Sequence, residues 1–315
     1  MRYEKRPLSI TDQAQLLLRR GLVCKELDKL QHYLTHIGYY RLSAYWLPFE
    51  VPADAEASSR THQFRPETTF EQVLALYIFD RKLRLLVMEA LERVETAIRS
   101  HWANALALRH GSHAHMKPQV FKCPWEHAKD LARIASELKD SSEVFVVHYR
   151  KRYSEPFLPP VWAVVETMSL GTLSRWFKST RDPKAKREVA RCLGMPSIEI
   201  LEQVLHALTP VRNICAHHGR LWNRRFTLQL PIIKRLKGQI ATERRVAEKG
   251  SEQEQPTREV FNYLVVLLHL MGHINPGSSW RARLMDHVLA ATQDQQAAMG
   301  FPENWQKLPL WKDDS

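Results

Sequence analysis

The strongest constraint on this chain is the stretch 70–108, whose apolar residues recur with the period of a helix. Leu76, Phe79, Leu83, Leu86, Ala90, Val94, Ala97 and His101 follow one another at steps of three or four, which puts them on one helix face. A strand would scatter them over both sides of a sheet, because successive side chains alternate there. Glu92, Glu95 and Arg99 fall on other turns of the same helix. Helical periodicity is frequent elsewhere, alternating patterns are few, and only eleven glycines occur. An all-α fold is expected.

Capping and breaking residues divide the remainder. A first helix is expected over 11–21 with Thr11 or Asp12 as cap, and a second over 24–37, stopped by Gly38. Tyr39, Tyr40, Tyr45 and Trp46 cluster before Pro48, and 51–68 reads as an exposed polar loop. Beyond a loop with His110, His113 and His115, a helix is expected over 125–138, and another restarts after Pro160. A basic run over 178–191 precedes Pro196 and Ser197, which open the helix leading into TPVRNICAHHGRLWNRR (209–225). A basic connector (234–249), an apolar helix (259–272) and a last helix (280–293) complete the chain. No repeat or linker marks a domain boundary.

With 44% hydrophobic and 25% charged residues, the chain has the make-up of a globular protein and not of a disordered one. Its formal net charge of +12 attracts polyanions, nucleic acid ahead of an anionic membrane surface. The opening MRYEKRPLSITDQAQ lacks the apolar core of a secretory signal. The apolar run 261–274 is too short to span a bilayer and carries His269 and His273. Cys24, Cys123, Cys192 and Cys215 are far apart and form no CxxC pair, suggesting neither a zinc site nor a disulfide framework. A cytoplasmic protein without membrane contact and without a metal or other cofactor is expected.

The segment 209–225 gathers two adjacent histidines, a cysteine and four arginines. With His206 at zero and about 100° per residue, Pro210, Asn213 and His217 fall within about 40° of it. Val204, Leu208, Val211 and Cys215 fall opposite. The helix therefore has an aliphatic face, where Cys215 packs, and a polar stripe. Pro210 can kink or restart a helix, so the phase from Val211 onward is firmer than the link back to His206. Gly219 is expected to stop the helix, with His217 and His218 in the last turn about 100° apart. Arg212 lies roughly 140° from His217, so the two do not stack.

A neutral imidazole such as His217 can take the proton of a ribose 2′-hydroxyl, turning that oxygen into a nucleophile against the adjacent phosphorus. The phosphorane that forms carries extra negative charge, which the paired donors of Arg212 suit. Asn213, one turn before His217, can orient the imidazole or bond a phosphate oxygen. The nucleophile belongs to the substrate, so no metal is needed, and DNA lacks the hydroxyl. Plainer readings remain open. Histidines in a last turn complement the helix dipole, which also favours the charged imidazolium over a general base. Adjacent histidines point too far apart to share a metal, and no carboxylate stands at matching spacing.

RNICAHHGRLWNR resembles the signature of abortive-infection (Abi) proteins of AbiD/AbiF type, phage-defence proteins of bacteria. It is similar also to the wider HEPN superfamily, marked by an Arg, four to six residues and a His. Here those are Arg212, Asn213 and His217, with His218 as a second candidate histidine. LTHIGYYRLSAYWLPF, YIFDRKLRLLVMEALERVETAIRSHWA and LPPVWAVVETMSLGTLSRWF resemble Abi segments in the same order, and INPGSSWRARLMDHVL more loosely.

The resemblance implies one helical domain over 1–315: a HEPN-like bundle core over about 66–226 with helical extensions at 1–65 and 227–315. It also implies a metal-independent endoribonuclease in phage defence, working as a homodimer that brings two copies of the motif together. The products are then a 2′,3′-cyclic phosphate and a 5′-hydroxyl, and a small antitoxin-like RNA is a possible partner. A different class of protein, a non-catalytic one that holds a structured RNA in a basic groove, fits the same residues.

Arg99, with Glu95 four residues earlier, resembles the polar face of the helix that accompanies the motif. It is also an ordinary i,i+4 pair. Arg220, Asn223 and Arg224 follow the motif and can hold RNA backbone, or simply solvate a helix end. The tyrosine–tryptophan group, interleaved with Arg41, fits core packing better than base stacking.

Overall fold

Ser9 starts the first helix of the computed structural model, α1 (Ile10–Arg19): its Oγ accepts from the Asp12 amide at 3.1 Å. The cap therefore lies ahead of the expected Thr11 or Asp12, and Asp12 sits in the first turn, where a carboxylate complements the helix dipole. Residues 6–53, 60–246 and 252–312 are described. The chain divides into two compact units, Met1–Lys82 and Leu83–Ser315.

In the first unit α2 spans Leu27–His36 and α3 spans Tyr39–Trp46. The second helix does not begin at residue 24, because Val23 is paired with the backbone beside Thr69 and donates to Thr68 O at 2.8 Å. Its end is where Gly38 was expected to place it: that residue has φ +89°, a conformation glycine adopts without a side-chain clash. Ala14, Leu17, Leu30 and Leu34 are buried where α1 packs on α2. Part of 51–68 is not the exposed loop expected. Phe64 and Thr68 are buried, and Phe64 N–H donates to Arg20 O at 2.8 Å. The buried Tyr45 hydroxyl donates to buried Asp80 at 2.6 Å.

The long periodic stretch is one helix, α4 (Phe70–His110), which continues into the second unit. Its buried line there is Leu83, Val87, Ala90, Leu91, Val94, Ile98 and Trp102, while Leu86, Ala97 and His101 are half-buried. The helix is covered on more than one side, so a single stripe traced by fixed steps drifted off the true seam. Five helices follow: α5 (Pro124–Lys139), α6 (Val144–Arg152), the single-turn α7 (Val161–Val164), α8 (Leu170–Ser179) and α9 (Pro183–Cys192). The helix expected after Pro160 is broken in two, because Ser169 is extended and caps α8 through the Thr172 amide. The basic run hides α9, capped by Asp182 with Pro183 in its first position.

After α10 (Ile198–Ala216), β1 (Thr242–Val246) pairs antiparallel with β2 (Glu252–Pro256), Thr242 opposite Pro256. Then come α11 (Val260–Ile274), α12 (Trp280–Leu289) and α13 (Gln293–Ala298). The expected last helix (280–293) stops at Leu289, and a further one, α13, opens on a capping box of Thr292 and Gln295. α11 is the centre of the core: its residues from Val260 to Met271 are buried, including Asn262. The Asn262 amide stitches the base of the hairpin to α11, accepting from Ala241 N–H and donating to Ala241 O, both at 2.8 Å. Trp280 Nε1 donates to Leu86 O at 2.7 Å, and Arg283 grips Glu89 with two bonds, tying α12 to α4. The fold is all-α with one small hairpin among the described residues. The four cysteines are free thiols.

Candidate functional site

α10 presents the motif, and local chemistry explains its course. Ser197 caps it through the Ile200 amide at 3.2 Å. Val204, Leu208, Val211 and Cys215 are buried on the inner face, as the angular reading placed them. Pro210 does not interrupt the helix. The outer stripe is therefore continuous, and His206, Asn213 and His217 are all exposed. On the inner side α8 approaches closely: a Cβ added at Gly171 would lie 3.1 Å from Thr209 Cγ2. Below, buried Lys186 of α9 donates to Glu202 of α10. Burial lowers the Lys186 pKa, and Glu202 works against that shift.

The helix ends differently from expectation. Ala216 is its last residue, His217 is the cap, and His218 takes the left-handed conformation with φ +57°. Gly219 N–H donates to Ile214 O at 2.8 Å and His218 N–H to Cys215 O at 3.2 Å, the paired bonds of a Schellman ending. The stop residue is thus His218 and not Gly219. Gly219 has another reason to lack a side chain, since a Cβ there would sit 3.2 Å from Ile214 Cγ2. The His217 and His218 side chains are both exposed at the carbonyl end of α10.

Beneath the stripe, Glu95 of α4 is 6% exposed and lies between two arginines. Arg99 Nη2 donates to Glu95 Oε1 at 2.6 Å and to Met168 O at 2.7 Å, and Nη1 stands 3.5 Å from Glu166. Arg212 Nε stands 3.5 Å from the other oxygen, Glu95 Oε2, without hydrogen-bond alignment. So Arg99 does not reach Arg212 directly; the shared carboxylate joins them. Among the described residues Glu95 is the sole partner of Arg212, so its Nη amines have no acceptor. A buried anion here holds a guanidinium in place and leaves its paired donors free.

A hollow of about 450 Å³ runs along the stripe, lined by His206, Thr209, Asn213, Arg224 and Phe226, among others. The structure brings His206 and Asn213 to this hollow together with Arg224 from the segment beyond the motif. Arg224 is exposed, and among the described residues it bonds the Arg220 carbonyl alone, at 3.3 Å. Its neighbour Arg225 is instead paired with Glu243 at 3.2 Å. Asn223 is half-buried with its Oδ1 unpartnered, and Arg220 is half-buried. Among the described residues no three His, Cys, Asp or Glu side chains converge as a metal ion would require. No helix of the described residues is long and apolar enough to cross a membrane.

Sequence reasoning missed Glu166 and the Met168 carbonyl, which hold Arg99. A lone carboxylate inside the apolar run WAVVETMSL was the available signal. The Glu95–Arg212 link had no signal at all, because the residues lie on different helices. A family model described as Abi-like protein matches residues 32–223, a span that includes Glu95, Arg99, Arg212, Asn213 and His217. Comparison with curated proteins and with solved structures finds no match.

Proposed function

Because the chain belongs to the Abi-like protein family, we propose that it acts in phage defence by abortive infection, as a metal-independent endoribonuclease of the HEPN kind related to AbiD/AbiF. Neutral His217 takes the proton of a ribose 2′-hydroxyl, and the 2′-oxygen attacks the neighbouring phosphorus. The bond from phosphorus to the 5′-oxygen of the next nucleotide breaks, that oxygen takes a proton from water, and the His217 imidazolium returns its proton to solvent. One product ends in a 2′,3′-cyclic phosphate, the other begins with a 5′-hydroxyl. Arg212 stabilises the charge on the phosphorane. Asn213 orients the substrate, and Arg224 and Arg220 receive flanking phosphates.

The observation that carries this reading is the state of Arg212: the buried carboxylate of Glu95 stands 3.5 Å from its Nε, and its paired amines have no acceptor among the described residues. Incubating purified protein with mixed RNA in EDTA, beside His217→Ala and with binding followed in parallel, tests it. Cutting by the parent alone, with binding retained in both, is the expected outcome. A homodimer would set two Arg212/His217 pairs across one groove. Light scattering reads that state, and a monomeric active enzyme would sink the shared groove.

A second reading has its own support. The His217 ring makes no hydrogen bond to any described residue, so no protein group orients it as a base. A phosphate clamp that holds a structured RNA, such as a small antitoxin-like RNA, uses the same cations without a base. If neither protein cuts and both bind RNA equally, the clamp reading stands.

A further inference from the structure

The first unit contains a larger hollow, about 780 Å³, which lies wholly within residues 6–62. That volume falls within the roughly 300–1,000 Å³ of small-molecule sites. Two kinds of wall make it unusual. One is aromatic: Tyr39 and Trp46 meet edge to face at 4.9 Å, and Tyr40 on the same helix borders the hollow with 92% of its surface exposed. The other is cationic. Arg20 and Arg6 both line the hollow, and among the described residues neither has a carboxylate at ion-pair distance. Arg20 Nη1 donates to the neutral Tyr39 hydroxyl at 2.6 Å, which anchors the guanidinium against the aromatic wall and leaves its charge uncompensated. Arg60, by contrast, is neutralised by two bonds to Glu50.

Two further details point to a ligand. Gln13, in the same wall, has a buried side-chain carbonyl oxygen without a partner among the described residues. Such an acceptor is costly unless a donor meets it. His62, also in the wall, holds a left-handed backbone at φ +57°, a strained state for a residue with a Cβ.

We propose that this hollow binds a nucleotide: a planar base against Tyr40 and the Tyr39/Trp46 wall, with its phosphate against Arg20 and Arg6. An exposed ring gives a base its stacking partner, and the unpaired guanidiniums give the phosphate its counter-charge. Gln13 then accepts from an amino group of the base. The aromatic cluster of α3 thus has two parts. Tyr45 is buried in the core with its hydroxyl on Asp80, while Tyr39, Tyr40 and Trp46 border the hollow. The site is independent of the Arg212/His217 motif. A free mononucleotide and the end of an RNA chain offer the same chemistry.

Calorimetric titration of the full-length His217→Ala protein, which preserves any RNA added, tests the proposal with three probes. These are adenosine 5′-monophosphate, ribose 5-phosphate and a single-stranded oligoribonucleotide of about five nucleotides. The monophosphate is expected to bind saturably, about tenfold more weakly in both Tyr40→Ala and Arg20→Gln, and unchanged when Arg212→Ala is added. Oligoribonucleotide binding lost with the same two variants assigns the site to RNA ends, and monophosphate binding alone assigns it to a free nucleotide. Ribose 5-phosphate binding as tightly as the monophosphate overturns the base-stacking wall. Absence of binding by both nucleotide probes at about millimolar concentration, or affinities untouched by Tyr40→Ala, overturns the proposal whether or not RNA cleavage at the motif is observed.

Discussion

His217 and His218 are neighbours with opposite structural duties. His217 caps α10 with φ −92°, and its ring makes no hydrogen bond to any described residue. His218 turns the chain, and its φ of +57° is one that a β-carbon disfavours. His218→Gly is therefore expected to raise stability by roughly 1 kcal/mol, read as a higher urea midpoint, and to leave RNA cleavage in place. A lower midpoint would show that the imidazole contributes more to the turn than the backbone conformation costs. The angular reading put His217 on a stripe with His206 and Asn213; His206 and Asn213 do share the hollow, whose lining does not include His217, because the helix ends one residue before it. It named the wrong stop residue, because Gly219 looked like the natural left-handed position while the Schellman bonds require the residue before it. Glu95 shows the other limit of sequence reading. Its spacing to Arg99 is visible along one helix, but its hold on Arg212 arises only when α4 and α10 meet.

At the scale of elements, α10 was legible because each end carries its own signal and its inner face is evenly aliphatic. α9 was not, because charge density in RWFKSTRDPKAKREVAR masks the Asp182–Pro183 start. The hairpin was invisible for a related reason. TERRV and EQEQP carry no apolar alternation to announce a strand, and Asn262 of α11 anchors their base from a distance. The approach to α10 depends on Gly194, with φ +67°, whose missing side chain makes room for the His273 ring; an added Cβ would sit 2.3 Å from His273 Nε2. The Gly194 carbonyl also accepts from His269 at 3.0 Å. Gly194→Ala combines backbone strain with overpacking and is expected to cost about 3 kcal/mol, measured by denaturant unfolding. A loss below about 1 kcal/mol would mean that α11 yields easily at this point.

For the whole molecule, two charge effects act together. The net charge of +12 predicts RNA binding that weakens steeply with added salt, through counterion release. Buried histidines set the response to acid. His115 is fully buried with both ring nitrogens unpartnered, and burial, more than the nearby His113 and His127, pushes its pKa down to about 3 from 6.5. Burial also lowers His113 and His269. The unfolded chain therefore binds protons that the folded one refuses, so this stability is whole above pH 6.5 and is lost as pH falls from there toward 3. His115 alone removes up to about 1.4 kcal/mol per pH unit within that window. Urea midpoints at pH 7.5 and 5.5 are expected to differ less in His115→Leu than in the parent. Equal differences would mean that His115 does not drive the loss.

The family match covers the helices that hold Glu95, Arg99 and Arg212, and the proposed cleavage of RNA at that place is the central claim to test. The most direct test is a defined RNA that the protein cuts, remade with a single 2′-deoxy substitution at the scissile nucleotide and incubated in EDTA. The account predicts cutting of the all-ribose strand to a 2′,3′-cyclic phosphate end, and no cutting at the substituted position or by His217→Ala. Equal cutting of the deoxy strand, or cutting that appears only when Mg²⁺ is added, would contradict it.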